Sequence, residues 1–238
     1  MKATTFIQRN YGSKILYYHD VFATKNFRAL DVDTCMGTPL SLFKQHVNII
    51  REEGFEIVRE ITKPVRQVAI MFDDGFRGIW ECRKYFYDEN IKPTIFLPIE
   101  YIGRTQKGML SLEEILELQS HGFRFESHGW SHRPLTEVPD EEFDKELNGS
   151  KKKLSEILGK EVTEICMPLG YFSEKVLEKI HEAGYEKVYS CLPGTFNEAP
   201  YGLIARNLCQ FASPYEVMLI LRGGNDLLKS RYLRLHKH

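Results

Sequence analysis

Short apolar runs alternate with amphipathic stretches along the chain, and this alternation predicts a parallel α/β fold. Seven runs have the length and composition of buried strands, at 15–21, 68–74, 93–98, 123–128, 164–168, 187–192 and 202–207. Because strands and helices alternate, the sheet is expected to be parallel. Seven such strands favour a closed or nearly closed parallel β/α barrel, and an open doubly wound sheet is the alternative.

Helix signals occupy the segments between the predicted strands. The first predicted helix has Pro39 at its first helical position, and capping boxes at 111–114 and 213–216 begin two others. Apolar residues at helical spacing predict a continuous helix over 141–158 and another over 173–183.

No repeat, low-complexity tract or Gly/Ser-rich linker divides the sequence. We therefore expect a single domain over 1–238, with a core at about 15–206 and a helical C-terminal tail at 213–238. This tail mixes apolar and basic residues, which favours a packing helix followed by a solvated basic end. Peripheral contact with an anionic membrane surface is the alternative.

Composition and charge narrow the class of protein. The 238 residues are 42% hydrophobic and carry a net charge of -1, which is typical of a globular protein and argues against nucleic-acid binding. No run approaches the roughly 20 apolar residues that span a bilayer, so no transmembrane segment is expected. Residues 1–10 lack the apolar part of a secretory signal, and the five dispersed cysteines indicate free thiols. A cytoplasmic location is therefore expected.

Residues with useful chemistry follow several predicted strands at the point where each strand ends. They are His19, Asp73, His128, Pro168 and Arg206. In a β/α barrel the C-terminal ends of the strands meet at one rim, where active sites lie. Five strands are harder to bring to one point on an open sheet, so this distribution favours the barrel.

Two motifs at the expected rim suit a divalent metal ion. Asp73 and Asp74 end one apolar run, and His128 and His132 follow another at a spacing that suits one face of a helical turn. One carboxylate and two imidazoles leave open coordination positions, and the second carboxylate remains to act as a base. Taken singly, the aspartates suit a turn and the histidines a solvated loop. Trp130 would supply an apolar wall or a surface on which a sugar stacks.

The order of three motifs resembles the polysaccharide deacetylase family, the NodB-homology domain. These motifs are Phe-Asp-Asp-Gly at 72–75, Ser-His-x-x-x-His at 127–132 and Pro-Leu-Gly-Tyr at 168–171. The resemblance implies a distorted, TIM-like β/α barrel and an enzyme that removes N- or O-acetyl groups from sugars.

The same resemblance implies roles for the residues of the first two motifs. Asp74, His128 and His132 would bind the metal, usually zinc in this family, with cobalt, nickel or manganese as alternatives. Asp73 would be the general base that takes a proton from water.

An N-terminal stretch, Tyr-His-Asp-Val at 18–21, resembles one branch of the family. In the branch of poly-N-acetylglucosamine deacetylases, the motif that carries the catalytic acid lies in the N-terminal strand instead of near the C-terminus. His19 is then the expected general acid, although a lone histidine in a strand is more often a core residue. The sequence Leu-Arg-Leu-His at 233–236 matches the usual C-terminal motif only superficially, and we interpret His236 as part of the solvated tail.

The third motif implies the remaining site residues. A backbone N–H of Leu169 or Gly170 would stabilise the oxyanion, and Tyr171 would contact the substrate.

The arginine that usually precedes this motif and pairs with the base is replaced by Cys166. Arg206 is the expected source of the missing charge, and Arg133 is a weaker candidate.

These features predict a metal-dependent hydrolase that removes acetyl groups, in the first place N-acetyl groups, from a sugar or glycan that could be lipid-linked. Hydrolysis of a non-sugar amide is one alternative, because folds are reused for related chemistry. A catalytically weak glycan-binding module is another, since the usual arginine is missing.

Overall fold

The computed structural model describes residues 11–23 and 37–238, and its centre is a curled parallel sheet. Cys35 and residues 1–10, on which the expectations about thiols and a secretory signal partly depend, lie outside the described residues. The strands are β1 (Lys14–Tyr18), β2 (Asp20–Phe22), β3 (Gly37–Pro39), β4 (Glu56–Val58), β5 (Gln67–Phe72), β6 (Thr94–Leu97), β7 (Arg124–Ser127), β8 (Glu164–Cys166), β9 (Lys187–Tyr189) and β10 (Asn207–Leu208).

Helices connect the strands and cover the outside of the sheet. They are α1 (Leu40–Glu52), α2 (Gly78–Glu81), α3 (Arg83–Asp88), α4 (Leu112–Ser120), α5 (Ser150–Leu158), α6 (Glu174–Glu182), α7 (Pro214–Leu221) and α8 (Lys229–His236). Ser111 and Ser213 form the predicted capping boxes, and Ser173 caps α6.

The sheet closes on itself through the segment that contains β10. Its order is β10-β1-β5-β6-β7-β8-β9, with β4 also paired to β5. Ile204 bridges to Tyr189 on β9, and Leu208 pairs with Tyr17 on β1. One short segment therefore links the last strand to the first. The predicted seven-stranded parallel β/α barrel is confirmed, in distorted form.

The boundaries differ from the sequence-based prediction where the chain changes direction. The first predicted strand is interrupted at His19, and β2 leaves the barrel to pair with β3. The helix expected to include Pro39 begins one residue later, with Pro39 as its N-cap. In place of one helix over 141–158, a π-helical turn at Lys145–Gly149 leads into α5.

The central strands β1, β5 and β6 are buried on both faces, and alternate residues point to opposite sides. Ile15 and Tyr17 from β1, with Ala69 and Met71 from β5, belong to one apolar cluster inside the barrel. The residues between them, such as Ile70, pack in the larger cluster beneath the helices. Burial on both faces explains why these strands appear as nearly continuous apolar runs.

The C-terminal segment packs on the barrel. Ala212 accepts a hydrogen bond at 2.8 Å from His46 of α1. At the other end, Phe172 donates its N–H to the carbonyl of His236 at 3.0 Å and accepts from His238 at 2.9 Å. The prediction of a freely solvated end is therefore wrong for His236. No helix among the described residues is long and apolar enough to cross a membrane.

Gly78 of α2 packs closely against the backbone of β2. Substitution of Gly78 therefore tests how β2 is held against the barrel. A Cβ at this position would lie 2.0 Å from the carbonyl oxygen of Val21 and 2.3 Å from Oδ1 of Asp20. Because one of these atoms is backbone, Gly78→Ala is expected to lower the free energy of unfolding by about 1–3 kcal/mol. Urea denaturation measures the change. In Gly149→Ala the nearest atoms are 3.6 Å away, so this control should change stability by less than about 1 kcal/mol. Equal effects of the two substitutions would contradict the proposed contact.

Candidate active site

The alternation of residues along the strands brings several predicted site residues to one end of the barrel. His19 follows the inward-facing Ile15 and Tyr17, and Asp73 follows the inward-facing Ala69 and Met71. Arg206 follows Ile204 in the same way. Since all these strands are parallel, their C-terminal ends lie side by side.

The carboxylate of Asp74 lies against the two imidazoles of the second motif. Its Oδ1 is 2.9 Å from Nε2 of His132 and 3.5 Å from Nε2 of His128. Asp74 has a left-handed backbone with a φ of 71°, and Gly75 continues the turn with a φ of 78°. This turn directs Asp74 away from the neighbouring Asp73.

A hydrogen bond sets the orientation of the His128 ring. Its Nδ1 lies 2.7 Å from the carbonyl oxygen of Cys166, which can only accept, so Nδ1 carries the proton. The lone pair of the neutral ring is then on Nε2, the atom that faces Asp74. A backbone carbonyl is a common partner for a metal-binding histidine.

The loop between the two histidines is irregular rather than helical. Gly129 donates to the hydroxyl of Ser127 at 3.2 Å, and His132 has a left-handed φ of 66°. The expectation of one helical face is therefore wrong, and left-handed backbone at Gly129 and His132 brings His132 back beside His128. The hydroxyl of Ser127 thus stabilises this loop.

Glu146 holds the same loop from the π-helical turn. Its buried carboxylate accepts hydrogen bonds from the N–H groups of Trp130 at 2.9 Å and Ser131 at 3.1 Å. Sequence reasoning missed this residue, because a glutamate within a helical pattern gives no signal of burial.

The donor set of Asp74, His128 and His132 fits a divalent ion. Their ligand atoms lie within 4.8 Å of one another, and a tetrahedral zinc ion spaces its ligands by roughly 3.4 Å. Oδ1 of Asp74 is buried, and although both Nε2 atoms face it, no hydrogen bond of suitable geometry reaches it, so it is an acceptor that a cation would satisfy. Two imidazoles and a carboxylate are ligands that zinc accepts.

A second cluster, Asp73 with His128 and Cys166, also has metal-ligand composition. Here both oxygens of Asp73 already accept from Arg206, and a cation would have to lie beside that guanidinium. Burial also raises the pKa of Cys166 well above its ordinary value, which opposes the thiolate that a metal requires. The cluster around Asp74 is therefore the better metal site.

Asp73 forms a bidentate ion pair with Arg206 at the centre of the barrel mouth. The two guanidinium nitrogens donate to Oδ1 at 2.7 Å and to Oδ2 at 2.8 Å, and both side chains are buried. Burial alone would raise the pKa of Asp73. The charge and hydrogen bonds of Arg206, with smaller effects from His128 and His19, hold that pKa below its ordinary value. Asp73 is therefore ionised at neutral pH.

Cys166 lies where the sequence motif would have an arginine, and Arg206 reaches the same point from the closing segment, which only β9 separates from β8. One nitrogen of Arg206 lies 2.8 Å from Sγ of Cys166. The weaker alternative is wrong: Arg133 pairs with Glu142 and Glu146 instead of Asp73.

His19 lies at the rim with its ring held by a residue that the sequence analysis missed. Nδ1 of His19 is 2.5 Å from Oε1 of Gln210, and the His19 ring is 6.0 Å from that of Tyr17. Gln210 gave no signal, because it belongs to no motif and follows the last strand.

The third motif forms a strained turn beside the site. Leu169 is half exposed and has a left-handed φ of 57°, a conformation that costs free energy for a leucine. The N–H of Gly170 donates to the carbonyl of Met167 at 3.0 Å, so it is used within the turn. Leu169 is therefore the better of the two predicted oxyanion donors.

Two predicted substrate contacts have aromatic or basic neighbours outside the metal cluster. The ring of Trp130 lies 5.1 Å from Nζ of Lys145 and packs beside Gly149. The ring of Tyr171 lies 5.5 Å from that of His236 and 4.9 Å from that of His238. Their contacts with a substrate remain predictions.

Comparisons with known sequences agree with the motifs. The profile of the family described as Polysaccharide deacetylase matches residues 60–188, which is more than half of the chain. YxkH of Bacillus subtilis (strain 168), a protein assigned to the same class of deacetylases, is 26% identical over 195 residues, covering 76% of this chain and 64% of YxkH. A 30.6 kDa protein from the fumA 3′ region of Geobacillus stearothermophilus is 23% identical over 127 residues, covering 52% of this chain and 46% of that protein. The chain thus spans less than two thirds of the length of these relatives.

Solved structures share the fold. The deacetylase PplD of Streptococcus pyogenes, solved with acetate, has a TM-score of 0.75 and 18% identity, with 88% of this chain and 98% of PplD covered. IcaB from Ammonifex degensii has a TM-score of 0.75 and 20% identity, with 90% and 98% covered. BC0361, a polysaccharide deacetylase from Bacillus cereus, has a TM-score of 0.74 and 20% identity, with 88% and 69% covered. The family profile, supported by this shared fold, establishes that the chain belongs to the polysaccharide deacetylase family.

Proposed function

We propose that the protein is a metal-dependent hydrolase that removes N-acetyl groups from a sugar or glycan. One observation carries this proposal: two adjacent carboxylates at one strand end have different partners. Asp74 lies against two imidazoles, and Asp73 lies against a buried guanidinium. The first environment suits a metal ligand, and the second suits a fixed, ionised base.

Asp74, His128 and His132 would hold the ion, zinc in the first place. When bound, a divalent ion supplies Lewis-acid chemistry, because it polarises a carbonyl and makes water more acidic. The hydrogen bond from His128 to Cys166 keeps the Nε2 lone pair available for that ion.

Asp73 would accept the proton of the attacking water. Its Oδ1 accepts one hydrogen bond, from Arg206, whereas Oδ2 accepts from Arg206 and from the thiol of Cys166, so Oδ1 keeps a lone pair for a further partner. The ion pair also fixes the carboxylate, so the base requires little reorganisation during the reaction.

The remaining residues would act on the tetrahedral intermediate. The N–H of Leu169 is the proposed donor to the oxyanion, and the strain of its turn is consistent with a functional role. His19 would donate a proton to the leaving nitrogen as the C–N bond breaks. Its position after Tyr17 and Tyr18 supports the branch with an N-terminal acid motif.

Two alternatives retain the same metal site. A non-sugar amide hydrolase would use the same chemistry, and the substrate assay below distinguishes it. A catalytically weak glycan-binding module is disfavoured, because Arg206 occupies the place of the missing arginine beside Asp73.

A lipid-linked substrate or membrane surface stays a prediction. It is supported by exposed apolar side chains near the C-terminus, among them Phe211, Leu227 and Leu228. Exposed apolar patches of this kind mark contact sites.

Replacement of Asp73 or Asp74 by asparagine is expected to have different effects on zinc affinity and on turnover. Asp74→Asn removes a charged ligand, so zinc affinity should fall at least tenfold and acetate release should disappear. Asp73→Asn should bind zinc within a few-fold of wild type, whereas kcat should fall about 10²- to 10⁴-fold because the base is lost. Zinc titration calorimetry and acetate release from N-acetylated sugars, O-acetylated sugars and simple amides measure both effects.

Asp88→Asn is the matched control, since Asp88 pairs with Lys84 on the exposed surface. It should leave both quantities unchanged. Full turnover by Asp73→Asn would contradict the assignment of the base, and acetate release from the simple amides alone would contradict the sugar substrate.

Removal of Arg206 is expected to destabilise the fold in a pH-dependent manner. Arg206→Met leaves Asp73 buried and unpaired, which should lower the free energy of unfolding by about 3–5 kcal/mol at pH 7. Because the pair lowers the pKa of Asp73, its contribution is present above the ordinary carboxyl pKa of about 4 and is lost as the pH falls through the lowered pKa. In the variant, burial without the guanidinium should instead raise the pKa of Asp73, so protonation relieves the unpaired charge and the deficit narrows as the pH falls from 7 towards 4. Below pH 4 the deficit narrows further, because the wild type loses its own contribution.

Urea denaturation at several pH values measures this deficit. Lys84→Met, which breaks an exposed ion pair, should cost less than about 1 kcal/mol at each pH. A deficit for Arg206→Met that does not change with pH would contradict the ion-pair explanation.

A further inference from the structure

The register of the closing strand brings Gln210 beside His19. Leu16 pairs with Asn207 and Tyr17 pairs with Leu208 in a parallel ladder. Continuing this register by two residues places Gln210 opposite His19. Gln210 is 3% exposed, so its side chain is held at the rim rather than in bulk water.

The position of Gln210 is fixed through its backbone as well. Its carbonyl accepts a hydrogen bond from Oγ1 of the buried Thr38 at 3.1 Å. Thr38 belongs to β3, the partner of β2, which directly follows His19. The pairing of β2 with β3 therefore connects the backbone next to His19 with the residue that holds Gln210.

The chemistry of the contact determines which nitrogen of His19 carries a proton. Oε1 of Gln210 lies 2.5 Å from Nδ1, and an amide oxygen can only accept a hydrogen bond. Nδ1 must then be the protonated nitrogen of the neutral ring, which is the less populated tautomer of a histidine free in water. Nε2 is the nitrogen that remains for a second partner.

We infer that Gln210 is a positioning residue that holds His19 with Nδ1–H bound and Nε2 available for proton transfer to the leaving group. This inference rests on the proposed role of His19 as general acid. When the C–N bond breaks, its electron pair goes to nitrogen, and Nε2 of the imidazolium gives up its proton to that nitrogen. His19 becomes neutral and keeps the Nδ1–H bond to Gln210, so one contact serves both charge states.

The neutrality of Gln210 distinguishes it from a carboxylate partner. Among the described residues, the titratable groups near His19 are Tyr17 from its own strand and Asp73 from the end of β5. Arg206 lies over the same Tyr17 ring at 4.2 Å and pairs with Asp73. An amide fixes the ring without adding a negative charge that would make the imidazolium hold its proton more tightly.

Nitrogen NMR of the zinc-loaded protein tests the positioning directly. In ¹⁵N-histidine-labelled wild type, His19, assigned with the His19→Gln variant, should appear as the Nδ1–H tautomer at alkaline pH. In Gln210→Met, which has similar volume and no amide acceptor, it should shift towards the Nε2–H tautomer. An Nε2–H tautomer in the wild type would overturn the inference, and so would an unchanged Nδ1–H tautomer in Gln210→Met.

Kinetics tests the consequence for the reaction. Gln210→Met should lower kcat about 10- to 100-fold with KM and zinc content within twofold of wild type. Gln210→Glu retains an acceptor, so it should recover most of kcat and move the alkaline limb of the pH profile upward by about one unit. Gln119→Met, where the amide bonds Leu158 far from the rim, is the matched control and should change nothing.

The two proposals can fail separately. In a His19→Ala background, Gln210→Met should cause no further loss of kcat, and an additional loss would overturn the positioning role. If the wild type releases no acetate from any substrate, the proposed function fails. The comparison of tautomers in the wild type and Gln210→Met, which needs no activity, then decides the positioning alone.

Discussion

The buried ion pair between Asp73 and Arg206 is the interaction on which the rest of the site depends. Burying two charged groups away from water costs free energy. The fold tolerates this cost only when the two groups form a well-aligned, hydrogen-bonded ion pair. The bidentate contact meets this condition. It requires Arg206 to lie at the barrel mouth, and hence requires the segment 204–208 to close the sheet between β9 and β1.

Closure of the sheet links the stability of the fold to the chemistry of the site. The segment that carries Arg206 also pairs with β1 and continues to Gln210, which contacts His19. The proposed base and the proposed acid are therefore positioned by neighbouring residues of one short stretch. At the end of β8, the carbonyl of Cys166 orients His128, while its thiol contacts Arg206. The metal ligands and the base thus share a common support.

Three of the seven non-glycine residues with a positive φ in the described part of the chain belong to the candidate site. Asp74, His132 and Leu169 all have left-handed backbone conformations, which are unfavourable for residues other than glycine. Each of them carries a proposed function: two metal ligands and one oxyanion donor. The hydrogen bonds of Ser127, Glu146 and the turn at Met167 hold the adjacent loops in place and offset part of this cost.

The fold could be predicted from the sequence because its central strands are buried on both faces and appear as short apolar runs. The rim could be predicted as well, since His19, Asp73 and Arg206 follow such runs and parallel strands align their ends. Because Cys166 stands where the motif usually has an arginine, the positive charge beside Asp73 had to come from another residue. Arg206 was the candidate, since it lies at a strand end.

The remaining contacts could not be predicted, because they depend on register and loop conformation. The pairing of Gln210 with His19 depends on the register of β10, which no local pattern specifies. Asp74 and His132 have left-handed backbone conformations in loops. Neither residue type requires this conformation, so the sequence does not predict it. The π-helical turn that aims Glu146 at the loop replaces a helix that the apolar spacing described equally well.

The central claim is that adjacent aspartates divide the work, with Asp74 as a metal ligand and Asp73 as a base held by Arg206. Anomalous diffraction at the zinc edge from crystals grown with stoichiometric zinc tests it most directly. We predict one peak about 2.0–2.2 Å from Asp74 and from Nε2 of both His128 and His132, with Asp73 still bound to Arg206. A peak coordinated by Asp73 and Cys166, or no peak at the barrel mouth, would contradict the account.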